Sequence, residues 1–142
     1  LVIFVLDEKS CGAIVYLNRF SERLYLLLHY EAGYWDFVKG NVEVNETEKE
    51  TVVRELREET GITDACFVNA FREKIAYYYR RHGKTVHKEV IFYLMKTNTE
   101  TVTISFEHVG SIWLNYVQAI KKLTFKNAKL LLEQAHVFLN KK

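Results

Sequence analysis

Three glutamates, Glu55, Glu58 and Glu59, stand at i, i+3 and i+4 in the run Arg54-Glu55-Leu56-Arg57-Glu58-Glu59-Thr60-Gly61-Ile62. At about 100° per residue, a helix gathers all three on one face near its C-terminal turn. Like charges at these spacings cost about 0.2–0.5 kcal/mol per pair, and the helix dipole disfavours anions at this end. Something positive must compensate. Arg54 and Arg57 supply part of it as surface ion pairs, but hard carboxylate oxygens concentrated on one side are what Mg²⁺ or Mn²⁺ selects. The spacing therefore points to a divalent-cation site, and to phosphate chemistry with an activated water.

The elements that must position these groups are legible around them. Asn45 followed three residues later by Glu48 reads as a capping pair, which predicts a helix from about Glu46. Gly61 supplies the left-handed residue that ends it about four turns later. Val52, Val53, Leu56 and the following Ile62 provide an apolar side toward a core. Ahead of the helix, Gly40 lets the backbone approach a metal or phosphate, and its carbonyl neighbourhood is a candidate ligand. Lys39 beside it can set an ammonium on a phosphate oxygen.

The β-rich stretches Gly12 to Leu17 and Arg23 to His29, separated by the polar Asn18 to Glu22, predict a hairpin. Tyr34 to Val38 is a short extended piece. Ala65 to Arg80 and Val86 to Thr97 predict a second antiparallel pair joined at Arg81-His82-Gly83-Lys84. Ile112 to Leu114 is a further strand, and the apolar recurrence from Thr124 to Asn140 predicts a packed C-terminal helix. Strands with a helix to each side predict an α/β fold, an α/β/α sandwich around a mixed sheet.

A chain of 142 residues, 49% hydrophobic and 14% aromatic, fits one globular domain, and no linker or repeat divides residues 1–142. A net charge of +2 is too mild for nucleic-acid binding by bulk field, and no stable nucleic-acid partner is expected. Cys11 and Cys66 lack a zinc spacing and read as two buried thiols. The opening run from Leu1 to Leu6 is too short to span a membrane, so a cytoplasmic protein is expected. The chain begins with Leu1 rather than Met, as truncation, processing or an unusual start codon would each produce.

From Gly40 to Ile62 the pattern is Gly, five residues, Glu46, seven residues, then Arg54-Glu55-aliphatic-x-Glu58-Glu59-x-Gly61-aliphatic, which resembles the Nudix box at every defined position. Ordinary residue usage would produce such a string at roughly one start position in a billion. The resemblance implies metal-dependent pyrophosphate hydrolysis in a Nudix-type sandwich. It implies Glu55 and Glu59 as metal ligands, with Glu58 binding further metal or helping to deprotonate water. For Arg54 and Glu46 it implies support, Arg54 fixing the loop and orienting a glutamate.

Within that family, the rest of the chain resembles the asymmetrical diadenosine tetraphosphate hydrolases. The similarity runs through Cys11 to Ile14, Trp35 to Gly40, Lys88 to Leu94, Phe106-Glu107-His108 with Trp113, and Glu133 to Leu139. It implies hydrolysis of a dinucleoside polyphosphate, diadenosine tetraphosphate giving ATP and AMP. It also implies Tyr77 as a base-stacking residue, with Tyr79 on the same strand face. Glu107 is implied as a further carboxylate near the metals, and His108 beside it is a candidate substrate contact. The charge of a polyphosphate calls for a basic rim, for which Lys88 is the candidate, while Lys84, Arg80 and Arg81 read first as a solvated turn. The chain departs from the family at Val38, where proline is usual. It departs again at Ser111-Ile112, where a second aromatic often stands, so one wall of a base site is absent or comes from elsewhere. Other Nudix substrates (ADP-ribose, a nucleoside triphosphate, the triphosphate end of RNA) and a silent nucleotide-binding domain are the rival readings. The oligomeric state is open.

Overall fold

Strand β1 (Val5–Arg19) is the axis on which the other strands assemble. Its last residues turn into β2 (Glu22–Tyr30), with Arg19 opposite Glu22. Phe20 and Ser21 between them both take positive φ, 50° and 65°, the conformation a two-residue hairpin of this twist requires. Its middle, Ser10 to Ala13, pairs antiparallel with β4 (Val38–Asn41). From Val5 to Tyr16 it runs parallel to β6 (Lys84–Lys96), which makes the sheet mixed. This computed structural model describes residues 5–141. Leu1 to Phe4, the head of the opening apolar run, lie outside the described residues.

The remaining strands extend both edges. β5 (Cys66–Arg81) pairs antiparallel with β6 through a turn at His82 and Gly83, again both at positive φ. β3 (Trp35–Asp36) and β7 (His108–Leu114) both pair with β2, and the main order is β3-β2-β1-β6-β5. The period-two alternation of β1, β2 and β6 feeds two cores. Ile14, Tyr16, Tyr25, Leu27, Phe92 and Leu94 face α2 (Tyr116–Lys122) and α3 (Lys126–Leu139). Cys11, Ala13, Val15, Leu26, Leu28, Ile91 and Met95 face α1 (Glu48–Thr60). The result is the α/β/α sandwich.

Helix α1 begins later than the sequence reading placed it. Asn45 sits at φ 65°, outside any helix. Thr47 is the cap instead: its hydroxyl accepts from the Glu50 N–H at 3.2 Å, and the Glu50 carboxylate accepts from the Thr47 N–H at 3.0 Å. The other end is as read, with Gly61 left-handed at φ 77°. Val53, expected in the core, is exposed, because the buried stripe runs through Val52, Leu56 and Glu59 at i, i+4 and i+7. Cys66 is also exposed while Cys11 is buried, and both are free. The short helix α2 was missed because seven residues show too little periodicity, although Asn115 caps it by accepting from the Gln118 N–H at 2.9 Å.

Candidate active site

The apolar stripe of α1 carries on, one turn later, into a carboxylate. Val52 and Leu56 seat the helix on the sheet, and the same face then buries Glu59 to 4% exposure. Glu55, a turn earlier on the flank, is 13% exposed at its side chain, whereas Glu58 on the outer side is 54% exposed. Strand β4 covers the pair. Gly40 lies so close to Glu55 that a Cβ there would be 2.0 Å from the carboxyl carbon. The missing side chain is thus a steric requirement of the Glu55 position.

Burial, the neighbouring Glu55 and, more distantly, Glu107 push the Glu59 carboxyl up to about 9. Burial also raises Glu55, against the pull of Arg54. The Glu59 Oε2 atom is buried with no hydrogen-bond partner among the described residues. An unpartnered carboxylate oxygen beside a second carboxylate fits a divalent cation, which removes the proton these groups otherwise hold. No three His, Cys, Asp or Glu side chains among the described residues form a complete cage. Mg²⁺ commonly fills its remaining positions with water and substrate phosphate.

Arg54 ties this cluster together from the side. Its Nε and Nη2 donate to the two oxygens of Glu46 at 2.7 and 3.0 Å, a fork-to-fork pair. Nη1 donates to Glu55 at 2.7 Å and to Glu58 at 3.2 Å, and Nη2 also reaches the Asn41 carbonyl at 2.9 Å. Glu46, held by Arg54, Thr51 and the Glu43 N–H, drops to about 2. Farther along the sheet, Glu48 anchors the start of α1 by accepting from Arg72, Lys9 and Tyr93.

Glu55 and Glu59 open into a cleft of about 450 Å³ that also includes Gly40, Asn41, Lys39, Lys88, Tyr77 and Glu107, whereas Glu58, on the outer side of α1 beside Arg54, does not line it. Tyr77 on β5 and Lys88 on β6 are directly opposite in the ladder, so they meet across adjacent strands. The Lys88 ammonium donates to Asn41 Oδ1 at 2.9 Å, and burial lowers its pKa. Lys39 is also partly buried, but Asp36, 3.2 Å from its ammonium, and Tyr77 hold it above its ordinary value. Lys39, Tyr34 and Tyr77 also line a second cavity of about 320 Å³, enclosed by Ile75, Phe92, Phe125, Ala128 and Leu131. The two cavities share a wall.

The structure revises several residue placements. His108 is fully buried at its side chain, 3.9 Å behind Glu59, and does not line the cleft, which contradicts its reading as a substrate contact. Tyr79 hydrogen-bonds Glu8 instead of lining either cavity, with Arg81 on the same carboxylate. Arg80 is occupied by the Gly83 carbonyl at 2.7 Å. Conversely, Tyr34, Phe125 and Asn41 were missed. Tyr34 and Phe125 lie 5.1 Å apart, ring to ring, although they are 91 residues apart in the chain. No local pattern marks such a pair, although Phe125 stands where an aromatic wall is wanted.

Fold and site together define a nucleotide pyrophosphohydrolase. The chain belongs to the Nudix family: the NUDIX domain model matches residues 2–134. It is similar to the mouse (Mus musculus) protein named bis(5'-nucleosyl)-tetraphosphatase [asymmetrical], at 32% identity over 143 residues, covering 92% of this chain and 95% of that one. A crystal structure of a Caenorhabditis elegans Ap4A hydrolase binary complex matches with a TM-score of 0.82 and 28% identity, covering 93% of this chain and 97% of that one. The NUDIX domain of Shewanella oneidensis NrtR, crystallised with ADP ribose, shares the fold at a TM-score of 0.76 and 16% identity, covering 96% of this chain and 91% of that chain.

Proposed function

We propose that this Nudix enzyme hydrolyses dinucleoside polyphosphates, diadenosine tetraphosphate giving ATP and AMP, with Mg²⁺ or Mn²⁺ as its cation. The observation that carries the reading is the wall common to the two cavities, where Lys39 and Tyr77 face both. A base held in the apolar cavity leaves its phosphates to pass Lys39 and Lys88 on the way to the carboxylates. The mouse and nematode proteins are named for such a substrate, and their similarity supports the same assignment.

Glu55, Glu58, Glu59, Glu107 and the Gly40 carbonyl would hold the cation. When bound, it supplies charge neutralisation at the phosphate oxygens and lowers the pKa of water. The chain's own residues do the rest. Lys39 and Lys88 bind phosphate oxygens, and their partial burial strengthens each contact. Tyr77, with Tyr34 and Phe125, stacks and encloses the base. Glu58, the exposed member at the rim, would accept a proton from the attacking water. Arg54 touches no substrate and keeps Glu55 and Glu58 apart from each other's charge. The partner is a small-molecule nucleotide. Two free thiols are in keeping with a cytoplasmic setting, and among the described residues no helix is long and apolar enough to cross a membrane.

The test is a panel of dinucleoside polyphosphates, ADP-ribose, nucleoside triphosphates and 5'-triphosphate RNA, with and without Mg²⁺, in ¹⁸O-water. The expected result is metal-dependent release of ATP and AMP from diadenosine tetraphosphate, with label in one product. Preference for another member of the panel would overturn the substrate. Tight binding of every nucleotide with no turnover would point to the silent domain instead.

A further inference from the structure

Behind the carboxylate cluster lies a second polar chain that the proposed mechanism does not use. His108 and Glu59 are each 4% exposed, and two atoms among them, His108 Nε2 and Glu59 Oε2, are buried without a hydrogen-bond partner among the described residues. They face one another at 3.9 Å. The other imidazole nitrogen, Nδ1, lies 3.0 Å from Ser105 Oγ. That hydroxyl oxygen already accepts from the Glu107 N–H at 3.4 Å, so its own hydrogen is free to go to Nδ1. A hydrogen bond accepted at Nδ1 leaves the ring hydrogen on Nε2, the nitrogen that faces Glu59.

The ring is fixed in that direction by packing. Tyr30 meets it edge to face with ring centres 4.5 Å apart, and the Tyr30 hydroxyl is itself pinned to the Phe37 carbonyl at 2.6 Å. The backbone adds a turn, the His108 N–H donating to the Ser105 carbonyl at 3.1 Å. The hydrogen-bonded chain from Glu107 N–H through Ser105 Oγ–H to His108 Nδ1 thus leaves Nε2 facing the most buried carboxylate across 3.9 Å, just beyond hydrogen-bond reach.

We propose that His108 is a positioning residue for Glu59: its Nε2–H orients the carboxylate toward the cleft, and Ser105 sets the tautomer that makes it a donor. A ligand carboxylate steered by a donor behind it binds its cation more tightly than one free to rotate. The inference rests on the reading of Glu59 as a cation ligand. His108 lies outside the cleft lining, so it acts on kcat and cation affinity while leaving substrate KM in place.

The experiment compares His108→Phe, which keeps a ring but no donor, with His108→Gln, whose amide restores one, and with Ser105→Ala. Mn²⁺ binding to the intact protein is measured by calorimetry without substrate, alongside Tm in EDTA, kcat and KM. The expected result is Mn²⁺ binding weakened about 10- to 100-fold in His108→Phe, with unchanged KM and a Tm close to that of the parent, and recovery in His108→Gln. Ser105→Ala should show a smaller loss in the same direction, and it carries the test if His108→Phe does not fold. Parent-like Mn²⁺ affinity in both folded variants would overturn the proposal, as would equal losses in His108→Phe and His108→Gln. Glu59→Gln separates the two layers. If it loses Mn²⁺ while His108→Phe keeps it, this inference alone fails; if it keeps Mn²⁺, the assignment of Glu59 beneath it fails.

Discussion

Gly40 on β4 and Glu55 on α1 occupy one space: a Cβ at Gly40 would sit 2.0 Å from the Glu55 carboxyl carbon and 2.1 Å from its Oε1. Strand and helix are pressed together there, and the carboxylate lies where a side chain would otherwise be. The cleft depends on that fit.

Gly40→Ala should therefore displace the Glu55 carboxylate while leaving the fold, since the obstructed atoms are the end of a flexible side chain. We expect kcat to fall about 100-fold, the scale of a misplaced cation ligand. Steady-state kinetics beside a thermal melt checks this. Parent-like turnover in a folded Gly40→Ala variant would show that the seat of Glu55 does not matter.

Glu59 makes the metal-free protein pH-sensitive. Its carboxyl is at about 9 in the folded chain against 4.5 when unfolded, so the folded state holds a proton that the unfolded state releases between these values. The contribution to stability is complete below the lower value and is lost as pH rises through the upper one. In EDTA, Tm should decline from pH 5 to pH 9 through this group. Glu59→Gln should flatten the decline, and so should saturating Mg²⁺. Melts across this range with and without metal would expose a slope that ignores both.

Arg54→Ala leaves Glu46, Glu55 and Glu58 without their shared guanidinium. Lower Tm and lower kcat are expected, with KM little changed because the donors of Arg54 are already occupied within the chain. Arg54→Lys should recover only part, since an ammonium cannot make the fork to Glu46. A substrate complex with Arg54 bonded directly to phosphate would contradict this role.

Tyr77→Ala should raise KM for diadenosine tetraphosphate roughly 5- to 150-fold, the equivalent of about 1–3 kcal/mol for one stacked base. Tyr77→Phe should stay near the parent, and kcat should move little in either. Phe125→Ala should act in the same direction if it closes the same pocket. A unchanged KM in Tyr77→Ala would remove the base from that cavity.

Local chemistry wrote a large part of this molecule into the chain. The Glu55, Glu58 and Glu59 spacing put three carboxylates on one turn, Gly61 ended the helix, and alternation marked the strands, because each depends on residues within a turn or a pleat of one another. The helix start was misread at Asn45 because two capping pairs overlap there, and only the backbone at φ 65° shows that Thr47 wins. Val53 and Cys66 were misread because hydrophobicity alone does not say which side of an element meets the core.

Tertiary structure decided what the three glutamates became. One face of α1 is pressed onto the sheet, so Glu59 lost its water and rose toward neutrality while Glu58, on the other side, kept its solvent. β7 then set His108 against the buried oxygen, and α3 brought Phe125 to Tyr34 and Tyr77. Spacing along the chain determined that carboxylates would cluster. Only packing between distant elements determined which of them would be buried and which would keep its solvent, because desolvation belongs to the surroundings of a group and not to its neighbours in sequence.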